Sequence, residues 1–160
     1  MRGFLSLGSN LGDRKAYLQD ALKQLATKGI EAVRISRIYE TSPVEVFDEQ
    51  GSYFNTAVEF SFDGEPMELL DICQAVEAAI GRTRPYVHAP RTIDIDVLLI
   101  QDEVVSNDRL TVPHPRMEQR AFVIFPLAEI APELILPSGR KIDDIKRMFK
   151  DDEIIRIRDW

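Results

Sequence analysis

Thiol and imidazole groups are scarce in this chain. Cys73 is the one cysteine among 160 residues, and His88 and His114 are the two histidines. A single cysteine excludes a disulfide within the chain and a cysteine-based metal site, and it suits a reducing compartment. Cys73 falls in an apolar pattern of helical spacing, so packing in the core is its expected role. The spacing of the two histidines does not indicate that they share a metal ion.

Long apolar runs are absent as well. No stretch approaches the roughly 18 residues of a membrane-spanning helix, and Gly8 interrupts the first apolar stretch too early for a signal peptide. The hydrophobic fraction of 44% is enough to build the core of one globular domain. We therefore expect residues 1–160 to form a single cytoplasmic domain, which acts as a monomer and does not bind membranes.

Positive charge is also in deficit, since the formal net charge is −7. This excess of negative charge argues against bulk binding of nucleic acid. Residues 82–120 differ from the rest of the chain, because they contain six arginines, no lysine, six acidic residues and both histidines. A cluster of arginines within an acidic protein favours planar, bidentate recognition of a few phosphates.

Two carboxylates alternate with apolar residues in the middle of this arginine-rich segment. One face of the predicted strand takes four apolar residues: Ile93, Ile95, Val97 and Leu99. The other face takes Asp94 and Asp96, which strand geometry places about 6–7 Å apart. Two such carboxylates repel each other unless cationic side chains or a hard cation such as Mg²⁺ compensate them. By themselves they are equally compatible with the solvated face of an edge strand.

Hydrophobic periodicity predicts the order β-α-β-β-α-β, which is typical of ferredoxin-like α+β sheets with helices on one face. The predicted elements are strands at 3–7, 32–39, 53–62 and 93–100, with helices to about residue 28 and from Pro66 to Ile80. In the second strand, Val33 and Ile35 are expected to point inward. Helical turns interrupted by Pro126, a short helix near 142–148 and a strand at 154–157 follow, and these late elements are expected to cover the other face of the sheet.

Several further groups suggest binding but have plainer alternatives. The segment 8–12 (GSNLG) follows a strand, yet it lacks the pattern of a phosphate-binding loop and favours a simple turn. Tyr53 and Asn55 share a strand face that would suit a flat heterocycle or would simply be half-exposed. His114, between two prolines, is either a phosphate donor or a turn residue. Gln74 and Glu77, one helical turn apart, either reach a ligand above the sheet or lie on exposed helix surface.

Five segments together resemble 6-hydroxymethyl-7,8-dihydropterin pyrophosphokinases of folate biosynthesis: 8–12 (GSNLG), 39–41 (YET), 53–55 (YFN), 90–98 (PRTIDIDVL) and 110–115 (LTVPHP). The resemblance spans nearly the whole chain. It implies a ferredoxin-like α/β/α sandwich that transfers the β,γ-pyrophosphoryl group of ATP to the hydroxymethyl oxygen of a reduced pterin, releasing AMP with the help of two Mg²⁺ ions.

The resemblance also implies a role for individual residues. Asp94 and Asp96 are expected to bind both metal ions and, with Arg82 and Arg91, to act in catalysis. The residues expected around ATP are Gln74, Glu77, Arg82, Arg84, Arg91, Val97, Arg109, Leu110, Thr111, His114 and Arg120. The residues expected around the pterin are Thr41, Pro43, Val44, Tyr53, Asn55 and Phe122, with Asn55 reading the ring edge and Phe122 stacking on the ring.

Two positions depart from the family pattern. His88 stands where some relatives carry tryptophan, and Pro115 stands where some carry tyrosine. His88 lies in the segment 82–91, which we expect to act as a lid that closes over ATP, because it has prolines and no apolar periodicity. A nucleotide- or pterin-sensing domain without activity and an ordinary kinase that moves only the γ-phosphate are the alternatives to pyrophosphoryl transfer. The nucleotide product distinguishes them.

Overall fold

A computed structural model describes residues 1–42, 51–81, 92–150 and 153–160. Its first half contains β1 (Arg2–Ser9), α1 (Arg14–Thr27), β2 (Glu31–Ile35), β3 (Ile38–Thr41), β4 (Tyr53–Ser61) and α2 (Pro66–Ile80). Its second half contains β5 (Asp94–Ile100), β6 (Val105–Ser106), β7 (Thr111–Val112), a 3₁₀ turn (Met117–Gln119), α3 (Ala121–Ile130), α4 (Ile142–Lys146) and β8 (Ile154–Arg158).

The main sheet has the strand order β5-β1-β4-β3-β8, with β2 also paired to β4, and all these pairs are antiparallel. This arrangement confirms the predicted ferredoxin-like β-α-β-β-α-β order. The predicted strand at 154–157 extends the sheet edge next to β3 as β8. The two-residue strands β6 and β7 form a separate small ribbon.

The predicted second strand is interrupted at Ser36, so residues 32–39 do not form one element. The Ser36 amide donates to the Ala57 carbonyl, and the Ser36 hydroxyl accepts from the Ala57 amide, both at 2.9 Å. The Ser36 hydroxyl thus takes the place of a backbone carbonyl as the acceptor for Ala57 of β4. The backbone hydrogen bonds to β4 are therefore interrupted between β2 and β3. The inward orientation predicted for Val33 and Ile35 is wrong, since both are exposed and the β2–β4 register shifts beside Val33.

Helices α1 and α2 pack on one face of the sheet. Their apolar stripes, including Leu18, Leu25 and Leu69, meet Leu5 and Phe60 from the strands. Burying each of these large side chains stabilises the fold by about 1.5–3 kcal/mol. Cys73 is part of the same core, as predicted, and burial raises the pKa of its thiol to about 12.

Local signals set the ends of both helices. Asp13 caps α1 by accepting from the Ala16 amide at 3.1 Å, so the 8–12 segment ends in an ordinary strand-to-helix turn. Pro66 occupies the first turn of α2, where its missing amide hydrogen costs nothing, and Gly81 forms the C-terminal cap.

Helices α3 and α4 cover the opposite face and complete three layers, as expected from the sequence. Ile124 and Leu127 of α3 and Ile142 of α4 pack with Ala57 and Leu98 of the sheet. The expected interruption at Pro126 does not occur, because α3 continues through this residue. Pro126 is buried with the apolar side chains of α3, whose packing offsets the lost backbone hydrogen bond.

The predicted alternation along β5 holds from Ile93 to Val97 and then fails at Leu99. Leu5 pairs with Val97 but Phe4 pairs with Leu99, so Leu98 is an extra residue in a β-bulge. Leu99 therefore packs with Phe4 against the α3 face instead of the α1 face. Within the described residues, no helix has both the length and the apolar character needed to cross a membrane.

Candidate active site

The sheet register brings the polar motifs of three separate segments into one row. On the α3 face, Asp94 of β5 lies opposite Gly8 of β1, and Gly8 lies opposite Asn55 of β4. Strands in a sheet are about 4.8 Å apart, so Asp94 and Asn55 are separated by about 10 Å. The row has no side chain at its centre, because Gly8 occupies it.

A cavity of about 230 Å³ opens above this row. The residues that line it are Ser6, Gly8, Thr41, Ser42, Tyr53, Asn55, Asp94, Asp96, Arg116, Gln119, Arg120 and Phe122. Four of the six residues predicted around the pterin are among them: Thr41, Tyr53, Asn55 and Phe122. The other two, Pro43 and Val44, lie outside the described residues.

The Asn55 amide is held in a defined orientation at the floor of this first cavity. Asn55 is 3% exposed, and its Nδ2 donates to the Thr41 hydroxyl at 2.8 Å. A Cβ atom at Gly8 would lie 2.8 Å from Asn55 Oδ1, so only glycine leaves the amide oxygen accessible from the cavity. One donor hydrogen and the carbonyl oxygen of Asn55 remain for a ligand.

Two arginines bring positive charge to the first cavity. The guanidinium of Arg120 lies 4.0 Å from an oxygen of Asp96 and 5.4 Å from the centre of the Phe122 ring. Arg116 lines the same cavity from an exposed position. Arg120, which was predicted as an ATP contact, therefore lies on the side of the site that contains the pterin candidates.

A second cavity, of about 350 Å³, lies on the other side of the two aspartates. Its lining is formed by Leu70, Gln74, Glu77, Asp94, Ile95, Asp96, Val97, Arg109, Leu110, Thr111, His114 and Pro115. All seven described residues that were predicted around ATP, apart from Arg120, line this second cavity. Asp94 and Asp96 line both cavities, and they are the only residues shared by the two linings within the described chain.

Glu77 connects helix α2 to strand β5. Its Oε2 accepts from the Ile95 amide at 2.8 Å, so Glu77 is part of the site and not of the exposed helix surface. Burial raises the pKa of Glu77 to about 7, the Ile95 amide opposes this shift, and the nearby charges of Asp94 and Asp96 add to it. Three carboxyl groups thus lie close together at this end of β5.

Arg109 is oriented across the second cavity by α2. One guanidinium nitrogen donates to Asp71 at 2.6 Å and to Gln74 at 3.0 Å. The remaining donors of the guanidinium have no partner among the described residues and can bind an anion in the cavity.

His114 is both a turn residue and a candidate donor. Its backbone amide donates to the Leu98 carbonyl at 2.8 Å, and its Nδ1 accepts from the Arg116 amide at 3.2 Å. Burial lowers the pKa of His114, and the positive charges of Arg120 and Arg116 lower it further. In the neutral ring the proton is then on Nε2, which is the nitrogen left to donate to a phosphate.

Asp94 and Asp96 provide a donor set that suits magnesium. They are on one face of β5, they line both cavities, and the side chain of Asp96 is 33% exposed. In the described part of the chain, no group of three His, Cys, Asp or Glu side chains is arranged to enclose a metal ion. This pair therefore fits an ion that takes two carboxylates and completes its coordination with water and phosphate oxygens.

Three of the residues predicted around ATP, Arg82, Arg84 and Arg91, lie outside the described residues, as does His88. Conversely, sequence reasoning did not assign an individual role to several residues that line the cavities: Ser6, Ser42, Leu70, Ile95, Arg116 and Gln119. Ser6 pairs with Asp96 across β1 and β5, so correct strand pairing alone would have identified it.

Comparisons with known proteins show which family this chain is similar to. The family model described as 7,8-dihydro-6-hydroxymethylpterin-pyrophosphokinase matches residues 4–132. The 2-amino-4-hydroxy-6-hydroxymethyldihydropteridine pyrophosphokinase of Bacillus subtilis is 42% identical over 132 residues, which are 82% of this chain and 78% of the relative. The enzyme of the same description from Methylorubrum extorquens is 46% identical over 136 residues, with coverages of 84% and 85%.

A solved structure supports the same fold. The crystal structure described as HPPK-DHPS in complex with substrates has a TM-score of 0.71 at 14% identity. The match covers 92% of this chain and 43% of that chain, so this chain spans less than half of the larger protein.

Proposed function

Because the chain belongs to the 7,8-dihydro-6-hydroxymethylpterin-pyrophosphokinase family, we propose that its two cavities hold the two substrates of that family's reaction. The enzyme transfers pyrophosphate from ATP to the hydroxymethyl group of 6-hydroxymethyl-7,8-dihydropterin, giving AMP and the pterin diphosphate, in folate biosynthesis.

The pterin is assigned to the first cavity. The amide of Asn55 faces the open floor above Gly8 and offers both a donor and an acceptor to the ring edge. Phe122 and Tyr53 supply aromatic surface, and Thr41 holds the Asn55 amide. Pro43 and Val44 are proposed to complete the contacts to the ring edge.

ATP is assigned to the second cavity, between α2 and β5. Arg109, preoriented by Asp71 and Gln74, supplies positive charge there, and His114 supplies a neutral N–H donor. The other proposed contacts come from the cavity lining: Gln74, Glu77, Val97, Leu110 and Thr111. Arg82, Arg84 and Arg91 are proposed to bind the phosphates as well.

One observation carries this assignment: Asp94 and Asp96 line both cavities. The hydroxymethyl oxygen and the β-phosphorus must approach each other where the two substrates meet, and this pair is the shared boundary. We propose that Asp94 and Asp96 hold two Mg²⁺ ions. When bound, magnesium supplies positive charge that neutralises phosphate oxygens and favours loss of the hydroxyl proton.

The side chains contribute by positioning and by charge. Pyrophosphoryl transfer spreads negative charge over the oxygens of the transferred group, and preorganised cations stabilise that charge. Arg120 lies 4.0 Å from Asp96 and is placed to neutralise the transferred group, while Arg82 and Arg91 are proposed to neutralise AMP as it leaves. Closure of the segment 82–91 over ATP is proposed to exclude water, whose attack would hydrolyse ATP.

Three further assignments are proposals about the whole protein. Residues 1–160 form one domain, the protein acts as a monomer, and it works in the cytoplasm. Gel filtration with light scattering tests the monomer directly, because a dimer would have twice the mass of 18.3 kDa.

The decisive experiment identifies the nucleotide product. The full chain is incubated with MgATP and 6-hydroxymethyl-7,8-dihydropterin, and nucleotides are separated by chromatography. We expect AMP in equal amount to the pterin diphosphate. ADP would instead indicate transfer of the γ-phosphate alone, and absence of both products would indicate a binding protein. Omitting the pterin should abolish AMP formation, which separates transfer from hydrolysis.

A further inference from the structure

Arg116 is a cation of the first cavity that has no role in the assignments above. Its side chain is exposed, and its guanidinium makes no hydrogen bond or ion pair with any residue the structure describes. The other two site arginines that the structure describes have partners: Arg120 lies beside Asp96, and Arg109 donates to Asp71 and Gln74. Arg116 therefore brings to the first cavity a positive charge that is not in an ion pair with any described residue.

The backbone at Arg116 is held in place although its side chain is exposed. The next residue, Met117, is 1% exposed and packs in the core between the sheet and α3. The Arg116 amide donates to His114 Nδ1, and the His114 amide in turn donates to the Leu98 carbonyl of β5. These contacts fix the start of the 3₁₀ turn at the rim of the cavity, so ordering the Arg116 side chain involves little backbone rearrangement.

The position of Arg116 identifies which anion it can reach. It lines the first cavity and not the second. Under the proposed assignment, the first cavity receives a pterin alcohol before the reaction and must hold a pterin diphosphate after it. Arg116 and Arg120 are the only cationic side chains among the described residues that line this cavity, and Arg120, which lies 4.0 Å from Asp96, is already assigned to the group during its transfer.

We infer that Arg116 binds the diphosphate of the product once that group has moved onto the pterin, so that Arg116 selectively strengthens product binding. The inference rests on the proposed placement of the pterin in the first cavity. A guanidinium offers two parallel donors to a terminal phosphate, and this geometry distinguishes it from a lysine ammonium.

The test compares the binding of two ligands to the full chain in the presence of Mg²⁺: 6-hydroxymethylpterin and its diphosphate. Isothermal titration calorimetry is applied to the wild type and to Arg116→Ala, Arg116→Lys and Arg140→Ala. Arg140 is the matched control, because it is also exposed but lies outside both cavities.

Arg116→Ala should weaken diphosphate binding about tenfold, as expected for one lost charge-assisted contact, and leave binding of the alcohol unchanged. Arg116→Lys should give an intermediate loss, and Arg140→Ala should give none.

Two results would overturn the inference. One is wild-type affinity of Arg116→Ala for the diphosphate, and the other is an equal loss for both ligands. An equal loss in Arg140→Ala would show that only overall charge matters, which also overturns it. The variant Asn55→Ala tests the pterin assignment separately from this inference, because it should lower the affinity for both the alcohol and the diphosphate. If Asn55→Ala changed neither of these two affinities, the placement of the pterin itself would be wrong.

Discussion

The Arg14 guanidinium lies 3.9 Å from the centre of the Phe54 ring, which joins the start of α1 to the start of β4. Arg14 also donates to the Ser52 carbonyl at 2.8 Å and to the Ser52 hydroxyl at 2.7 Å. Ser52 and Phe54 flank Tyr53, so the contacts of Arg14 hold a strand end that forms the wall of the first cavity.

Replacing Arg14 should therefore destabilise the fold measurably. We expect Arg14→Ala to lower the free energy of unfolding by about 1–2 kcal/mol, from one cation–π contact and two hydrogen bonds. Urea denaturation followed by fluorescence measures this change. Lys23→Ala is a suitable control, since Lys23 is exposed on the same helix, and a similar loss there would mean that Arg14 has no special role.

The carboxylate of Glu40, in the same region, makes the stability of the fold depend on pH. Burial opposes its ionisation, but the Ser52 hydroxyl and the Arg158 guanidinium donate to it at 2.8–3.1 Å and keep the pKa of Glu40 below 4.5. A lowered pKa means that the unfolded chain binds the proton more readily. The stabilisation from Glu40 is therefore complete above about pH 4.5 and is lost as the pH falls through the folded-state pKa.

The pH dependence of this stabilisation predicts how the stability of Glu40→Gln should vary with pH. The variant should be about 1–2 kcal/mol less stable than the wild type at pH 7, and the difference should shrink at pH 3. Thermal or urea unfolding at a series of pH values measures it. Glu31→Gln, on exposed β2, serves as the control. A difference that stayed constant down to pH 3 would rule out Glu40 as the source.

The shared aspartates should be essential for turnover and not for folding. Asp94→Asn and Asp96→Asn should each reduce AMP formation at least about 100-fold, because the metal ions and phosphates lose a compensating carboxylate. Melting temperatures should be unchanged or higher, since the repulsion between the two carboxylates is relieved. Asp108→Asn, in an exposed loop, is the control. Near-normal turnover of either variant at saturating Mg²⁺ would refute the metal assignment.

The two cavities should also be separable by mutation. Asn55→Ala should weaken pterin binding about 10–100-fold, because the ring edge loses its hydrogen bonds, while MgATP affinity stays within about twofold. Gln74→Ala should show the opposite pattern, since Gln74 lines only the second cavity and orients Arg109. Titration of each ligand into each variant measures the affinities. If both variants lost both ligands equally, one common pocket would be the correct description.

The sequence predicted the overall order of elements because the pattern of buried residues has a clear period in each of them. Leu18 and Leu25 mark a helix, and the alternation from Ile93 to Val97 marks a strand. The sequence pattern did not predict the break at Ser36 or the bulge at Leu98, because each depends on hydrogen bonds to a partner strand that is distant in sequence. For the same reason Val33 and Leu99 were placed on the wrong faces.

The candidate site shows a similar division. Asp94 and Asp96 were identifiable because carboxylates in an apolar strand are unusual, whatever their partners. Periodicity and spacing did not place Asn55 in the same row as Asp94, since this requires the β4-β1-β5 pairing with Gly8 in between. Arg116 was counted only as one of the clustered arginines and received no individual role, because its position at the cavity depends on a turn fixed by His114 and Leu98.

The shared position of Asp94 and Asp96 makes the two binding sites one thermodynamic system. Whatever neutralises these carboxylates from one cavity changes the electrostatic potential in the other. Linkage then requires reciprocity: the factor by which MgATP changes pterin affinity equals the factor by which the pterin changes MgATP affinity. A substitution in β5 that alters this coupling must alter both affinities together, even if the altered side chain contacts only one of the substrates.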